Sequence, residues 1–295
     1  MLEQLQVFWS TYNTLVYTIG VHSMLALSIY LTLSCGRLSL GNAAFMGIGA
    51  YTAALVTLKL GLPFGAALAL GGILPGLVAL VIGIPTLRLS GVYLAMATLG
   101  FGEVVRVVFL NLEITGGSMG LDGIPMKTEL WHILLILAVL IYGFIRLKRS
   151  KLGRSFEAIK EDEVAAKTMG INTAYCKLLA FVLGAVIAGV AGGLNAHFTY
   201  FVSPREYGFD PAVDILTGAI FGGTGSFMGP IVGSSILAIL PELLRFLKGF
   251  RLAVNGLILI LVVIHLPNGI WDRKLFARLR GARLRGARLR GRRAS

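Results

Sequence analysis

Apolar runs of about 15 to 25 residues recur along almost the whole chain, separated by short polar or glycine-rich breaks. Each is long enough, or nearly so, to cross the roughly 30 Å hydrocarbon layer of a bilayer as a helix. The pattern predicts spans over 13–34, 42–58, 62–87, 91–112, 130–147, 178–194 and 252–270. The run 212–246 is too long for one ordinary span and short for two. It is interrupted by Gly222-Gly223-Thr224-Gly225-Ser226, so it reads as two spans or as a broken helix plus a span. The expectation is an all-α polytopic membrane helix bundle of about eight to ten spans, most simply nine.

Composition within the runs separates them. The stretch 42–58 is rich in Gly, Ala and Thr, residues that let backbones approach closely, which predicts a packed interior helix. Pro63, Pro75 and Pro85 fall in 62–87, where each freed backbone group needs protein or water beside it. A weak internal echo links SLGNAAFMG (39–47) to GSFMG (225–229), which suggests two weakly related halves. Glycine-interrupted segments in matching positions of two halves point to a substrate path, and chance similarity in a glycine-rich chain is the competing explanation.

One long polar stretch stands apart: KRSKLGRSFEAIKEDEVAAKTMGINTAYCK, residues 148–177. Its basic start places it on the cytoplasmic side. Counting spans outward from it puts the N-terminus outside, the acidic loop 113–129 outside and the C-terminus inside. Arg245, Lys248 and Arg251 resist that count. Within the stretch, SFEAIKEDEVAAKTM favours one helix, with Ser155 placed to cap it and Gly170 placed to stop it. It is amphipathic, and Ala165-Ala166 offers a small, close-approach face suited to a groove on another protein; rest on lipid is the alternative.

Charge and cysteine content narrow the class. Hydrophobic residues make up 56% of the chain and charged ones 14%, against about 25% charged in soluble domains. The net charge of +13 belongs largely to one end: 272–295 carries ten Arg/Lys and one Asp. That tail repeats ARLRG three times, and is expected to be disordered and to meet anionic lipid headgroups rather than nucleic acid. Cys35 and Cys176 suggest neither a disulfide framework nor a metal cluster. The N-terminal MLEQLQVFWSTYN lacks a basic region, so a retained first span is expected.

Candidate chemistry is sparse. No GxxxxGK[ST] phosphate loop, HExxH, GxSxG elbow or Cys/His cluster occurs, so no catalytic residue is assigned and the chain is not expected to hydrolyse ATP itself. Glu103 and Arg106, three apart inside a span, share a helix face. They read as a mutual pair, a contact to a neighbouring helix or a substrate contact. Asp214 reads as a helix-start cap. The loop TGGSMGLDGIP, with Gly116 and Gly117, permits tight turns and is a plain connection, a surface received by an external partner or the rim of a path.

EVAAKTMG (163–170) resembles the coupling loop of ABC-importer permeases. Its flanks, GRSFEAI and GIN, together with GRLSLGNAAFMGIGAY, SGVYLAMATLGFGEVVR, TGGSMGLDGIP, GGTGSFMGPIVG and PNGI, resemble the branched-chain amino-acid permeases of the LivM family. The likeness covers nearly all of 13–271, with the motifs in order. It implies a permease domain over 1–271, with 148–177 as a cytoplasmic coupling loop, in a bacterial or archaeal plasma membrane. It implies a LivH-like second permease, two cytoplasmic ATP-binding subunits that use ATP and Mg, and an external substrate-binding protein. This chain would hold no cofactor or metal. Ser155, Glu163, Ala165, Ala166 and Gly170 would dock the ATPase. Gly41, Asn42, Gly47, Glu103, Arg106, Gly116, Gly117, Gly222 and Gly223 would border the translocation path. The loop has ExAA where many relatives have EAA, Met119 replaces a commonly polar residue, and the ARLRG tail matches nothing in the pattern. The alternatives are a urea or short-amide importer permease and, from another class, an ion-coupled secondary transporter. A membrane enzyme is more remote.

Overall fold

A computed structural model describes residues 2–243. The span expected at 252–270, the charges Arg245, Lys248 and Arg251, and the basic tail lie outside the described residues. What is described is helical: α1 (Leu2–Ser34), α2 (Asn42–Lys59), α3 (Phe64–Thr86), α4 (Val92–Asn111), α5 (Leu130–Arg149), α6 (Lys151–Glu161), α7 (Glu163–Thr168), α8 (Thr173–Thr199), α9 (Phe209–Gly222) and α10 (Met228–Leu243). Five stretches are long and apolar enough to cross a bilayer: Tyr12–Ser34, Phe64–Thr86, Val92–Asn111, Leu130–Arg149 and Thr173–Thr199. The chain is thus an all-α, multi-pass membrane bundle.

At the centre α2 and α8 run parallel, with α3 antiparallel against both. Small residues make this possible. A side chain on Gly49 would overlap the Gly189 backbone, and one on Gly192 would overlap the Met46 carbonyl. Gly76 and Gly83 of α3 sit 2.8 Å, at an added Cβ, from Val186 and Leu178 of α8. In lipid there is little hydrophobic drive between helices, so such close packing carries the association. α2 is the interior helix that its composition predicts, buried along most of its length. α5, by contrast, presents most of its surface outward.

Several boundaries differ from the sequence reading. Pro63 is not within α3 but precedes it as N-cap, while Pro75 and Pro85 are inside. α8 begins at Thr173 and continues to Thr199, because Asn172 caps it early and His197 and Asn195 find partners inside the bundle. The run after residue 208 forms two short helices that fold back on each other. α9 has 14 residues, about 21 Å at 1.5 Å per residue, short of a full span. Gly218 and Gly222 of α9 lie against Ser234, Gly229 and Gly233 of α10. Asp214 is well inside α9 rather than at its cap, which Gly208 occupies.

Candidate functional site

The polar stretch 148–177 folds as two short helices, not one. Ser150, in extended conformation, ends α5, and its hydroxyl accepts from the Gly153 amide of α6. A side chain at Gly153 would overlap the Leu147 carbonyl, so this corner requires glycine. Asp162 is also extended and breaks the helix a second time, its carboxylate accepting from Val164 N and Ala165 N at 2.8 and 3.0 Å. The caps are therefore Ser150 and Asp162. Ser155 is interior to α6 and donates to the Lys151 carbonyl, because α6 already starts at Lys151, where the Ser150 hydroxyl satisfies a free amide. Gly170 does stop α7, at φ 80°, with Ile171 N donating to the Ala166 carbonyl.

This geometry splits the expected docking set. Ala166 is buried in the bundle's own core, while Ala165 is exposed, so the pair does not form one outward face. The reason is helical: adjacent residues point about 100° apart, and α7 uses one side to lie on the bundle. The outward apolar groups are Val164 and Met169, 71% and 83% exposed.

Glu163 also faces inward. Its Oε2 accepts from Arg37 Nη2 at 2.9 Å, and Oε1 accepts from Lys177 Nζ and, at 3.1 Å, from Lys167 Nζ. Thr173 Oγ1 stands 3.4 Å away. Lys177 is buried, so its ammonium depends on this carboxylate. The Lys177 hydrogen bond, helped by Lys167 and the Arg37 charge, outweighs burial and holds the Glu163 carboxyl at about 2, from an ordinary 4.5. Arg37 reaches further: its Nη1 donates to the Leu89 carbonyl at 2.9 Å. Elsewhere on this face, Lys160 Nζ of α6 donates to the Thr224 carbonyl in the α9–α10 turn at 3.2 Å.

A second constellation lies between α2, α4 and the segment entering α9. Gly47 receives the ring of Tyr207, whose Cγ would be 2.7 Å from a Cβ there. Gly208 abuts both Glu103 and Arg106, which pair with each other at 2.8 Å. Leu40, Ala43, Ala44, Leu99 and Phe209 line the rest of this narrow crevice. The Tyr207 hydroxyl is buried with no hydrogen-bond partner among the described residues, at a cost of about 1–3 kcal/mol. Asn42 is buried at the start of α2 and donates to Ser28 Oγ at 2.7 Å, and Gly41 lies against Thr98 of α4.

The structure thus sets Gly47 against Tyr207 and the Glu103–Arg106 pair against the adjacent Gly208, with Gly41 next to the crevice-lining Leu40, whereas Asn42 turns away toward Ser28 of α1 and Gly184 of α8. It does not bring Gly116 and Gly117 there. These adopt left-handed turns beyond the end of α4, and Leu121 in the same loop pairs in both directions with Val202. Their loop therefore holds the 200–208 segment that carries Tyr207 inward. Gly222 and Gly223 form the tight α9–α10 corner, where a Cβ on Gly222 would overlap the Gly229 carbonyl. Arg37, Lys160, Lys177 and Tyr207 escape a sequence reading of the site. Lys177 alone carries a signal, a cation at the mouth of an apolar run that demands a partner. No group of three or more His, Cys, Asp or Glu among the described residues could hold a metal ion.

Comparison with known proteins bears on what this arrangement serves. The family described as "Branched-chain amino acid transport system / permease component" matches residues 11–266. The high-affinity branched-chain amino acid transport system permease protein LivM of Salmonella typhimurium is 35% identical over 281 residues, covering 83% of this chain and 66% of that protein. LivM of Escherichia coli K12 gives the same figures. The permease protein LivH of Escherichia coli K12 is 34% identical over 150 residues, 50% of this chain and 48% of that one. The chain thus spans just under two thirds of the LivM proteins' length. No solved structure matches.

Proposed function

From the premise that the chain belongs to the branched-chain amino-acid transport permease family, we propose that it is a transmembrane permease subunit of an ATP-driven importer for branched-chain or hydrophobic amino acids. The observation that carries this reading is the α6–α7 loop: anchored into the bundle through Glu163 yet presenting Val164 and Met169 outward. A loop that only connected two helices would need neither a buried ionic anchor nor exposed apolar tips. Such a surface suits a soluble partner that pushes on it. With no phosphate-binding loop in the chain, ATP and Mg belong to two partner ATPases docked at α7, and this subunit is not itself an enzyme.

The similarity to LivH over half the chain supports a related second permease as the other wall of the path. An external binding protein delivers substrate to the face opposite α7. In this reading the protein sits in a bacterial or archaeal plasma membrane with its N-terminus outside and the basic tail at the inner lipid surface. Alternating access then moves the crevice between α2, α4 and α9, where small residues let helices slide and the Tyr207 hydroxyl, without a hydrogen-bond partner among the described residues, marks a group whose surroundings change. The test is uptake of radiolabelled leucine and, separately, urea into proteoliposomes holding the full transporter. Leucine import that requires ATP is expected. Import of urea alone, or import unaffected by ATP depletion, refutes it.

A further inference from the structure

Arg37 lies in the short α1–α2 connection, and is not among the residues expected to dock a partner or to border the path. Its guanidinium holds two acceptors that belong to different parts of the fold. Nη2 donates to Glu163 Oε2 in α7 and Nη1 to the Leu89 carbonyl between α3 and α4, each at 2.9 Å. The side chain is only 12% exposed, so water competes little for either bond. The planar fork fixes the angle between the two contacts, which an ammonium cannot do.

The positions on either side matter. Arg37 stands five residues before Asn42, where α2 starts, and Leu89 three residues before Val92, where α4 starts. α2 and α4 are the walls that meet Tyr207, Gly208 and the Glu103–Arg106 pair. Lys177 and Lys167 also bind Glu163, but they tie α7 to its own and the following helix. Arg37 ties it across the bundle. The neighbouring Gly36 packs against Lys160 of α6 at φ 68°, so the α1–α2 connection rests on both short helices.

We propose that Arg37 is a positioning residue that transmits displacement of α7 to the starts of α2 and α4, by holding Glu163 and the Leu89 carbonyl at once. This rests on the permease reading above. Rotation or translation of α7 by a docked subunit would carry the guanidinium, and with it the two helix starts that flank the crevice. Loss of the link would leave docking intact and disconnect it from the path.

The experiment measures leucine imported per ATP hydrolysed by the complete reconstituted transporter, for the wild type, Arg37→Ala and Arg37→Lys. Arg37→Ala is expected to co-purify with the ATPase subunits, to retain ATP hydrolysis, and to import at least tenfold less leucine per ATP. Arg37→Lys, which serves one acceptor but not both, is expected to fall between. A ratio for Arg37→Ala within twofold of wild type overturns the proposal. Where Arg37→Ala does not assemble, Arg37→Lys decides, and a wild-type ratio there overturns it. A wild type that imports no leucine with ATP refutes the permease reading instead, so the two failures are distinguishable.

Discussion

Removing the Glu163 carboxylate should destabilise the protein mainly through what it leaves behind. Lys177 has 4% side-chain exposure and would be stranded as a buried ammonium in Glu163→Ala. Breaking a buried pair by deleting one partner costs about 3–5 kcal/mol. Glu163 is itself 31% exposed, which places this pair at the lower end, about 3 kcal/mol. The carboxyl's fall from 4.5 to about 2 leads to a similar figure: at about 1.4 kcal/mol per unit it caps the favourable interaction near 3 kcal/mol, about 2 after allowance for solvent screening. At about 2–4 °C per kcal/mol, Tm should fall on the order of 6–12 °C. Adding Lys177→Met, which removes the stranded charge at similar volume, should recover more than half of that loss. Cys35 and Cys176 are buried, so a thiol-reactive fluorescent dye reports unfolding in detergent directly. A Glu163→Ala protein within 2 °C of wild type, or a double variant less stable than the single one, would refute the reasoning.

Other perturbations follow from the same geometry. Because the folded-state pKa of Glu163 is depressed, its contribution is fully present above about pH 4.5 and fades as pH falls toward about 2; Glu163→Gln should therefore flatten the drop in Tm across that window, read by scanning calorimetry, which needs no thiol chemistry at low pH. Gly192→Ala puts a methyl into the Met46 carbonyl and 3.0 Å from Ala50 N, which should cost at least about 1–3 kcal/mol, whereas Gly143→Ala meets open space in α5 and should gain about 0.5–1 kcal/mol; fluorescence-detected size exclusion of heated samples ranks them. Val164→Glu and Met169→Glu change exposed positions, so stability should hold within about 0.5 kcal/mol while co-purification with the ATPase subunits falls at least tenfold; retained co-purification would remove α7's outer side from the docking surface.

Periodicity and composition by themselves determined that this is a helical membrane bundle. Apolar runs of span length can satisfy their backbones in lipid only as helices, and the Gly/Ala-rich stretch from Asn42 could only be an interior one. The polar stretch, its stop at Gly170 and the Glu103–Arg106 pairing are equally local, since each involves neighbours a few residues apart. What the tertiary structure decided are the pairings between distant residues. Nothing in Arg37 or Glu163 alone shows that 126 positions of sequence separate two hydrogen-bonded groups. Nothing in a Tyr207 outside the apolar runs shows that it reaches Gly47. Adjacent alanines look alike in sequence, yet the side on which α7 lies against the bundle buries Ala166 and exposes Ala165. That side is set by the ionic anchor beneath it, a long-range contact that no local pattern encodes.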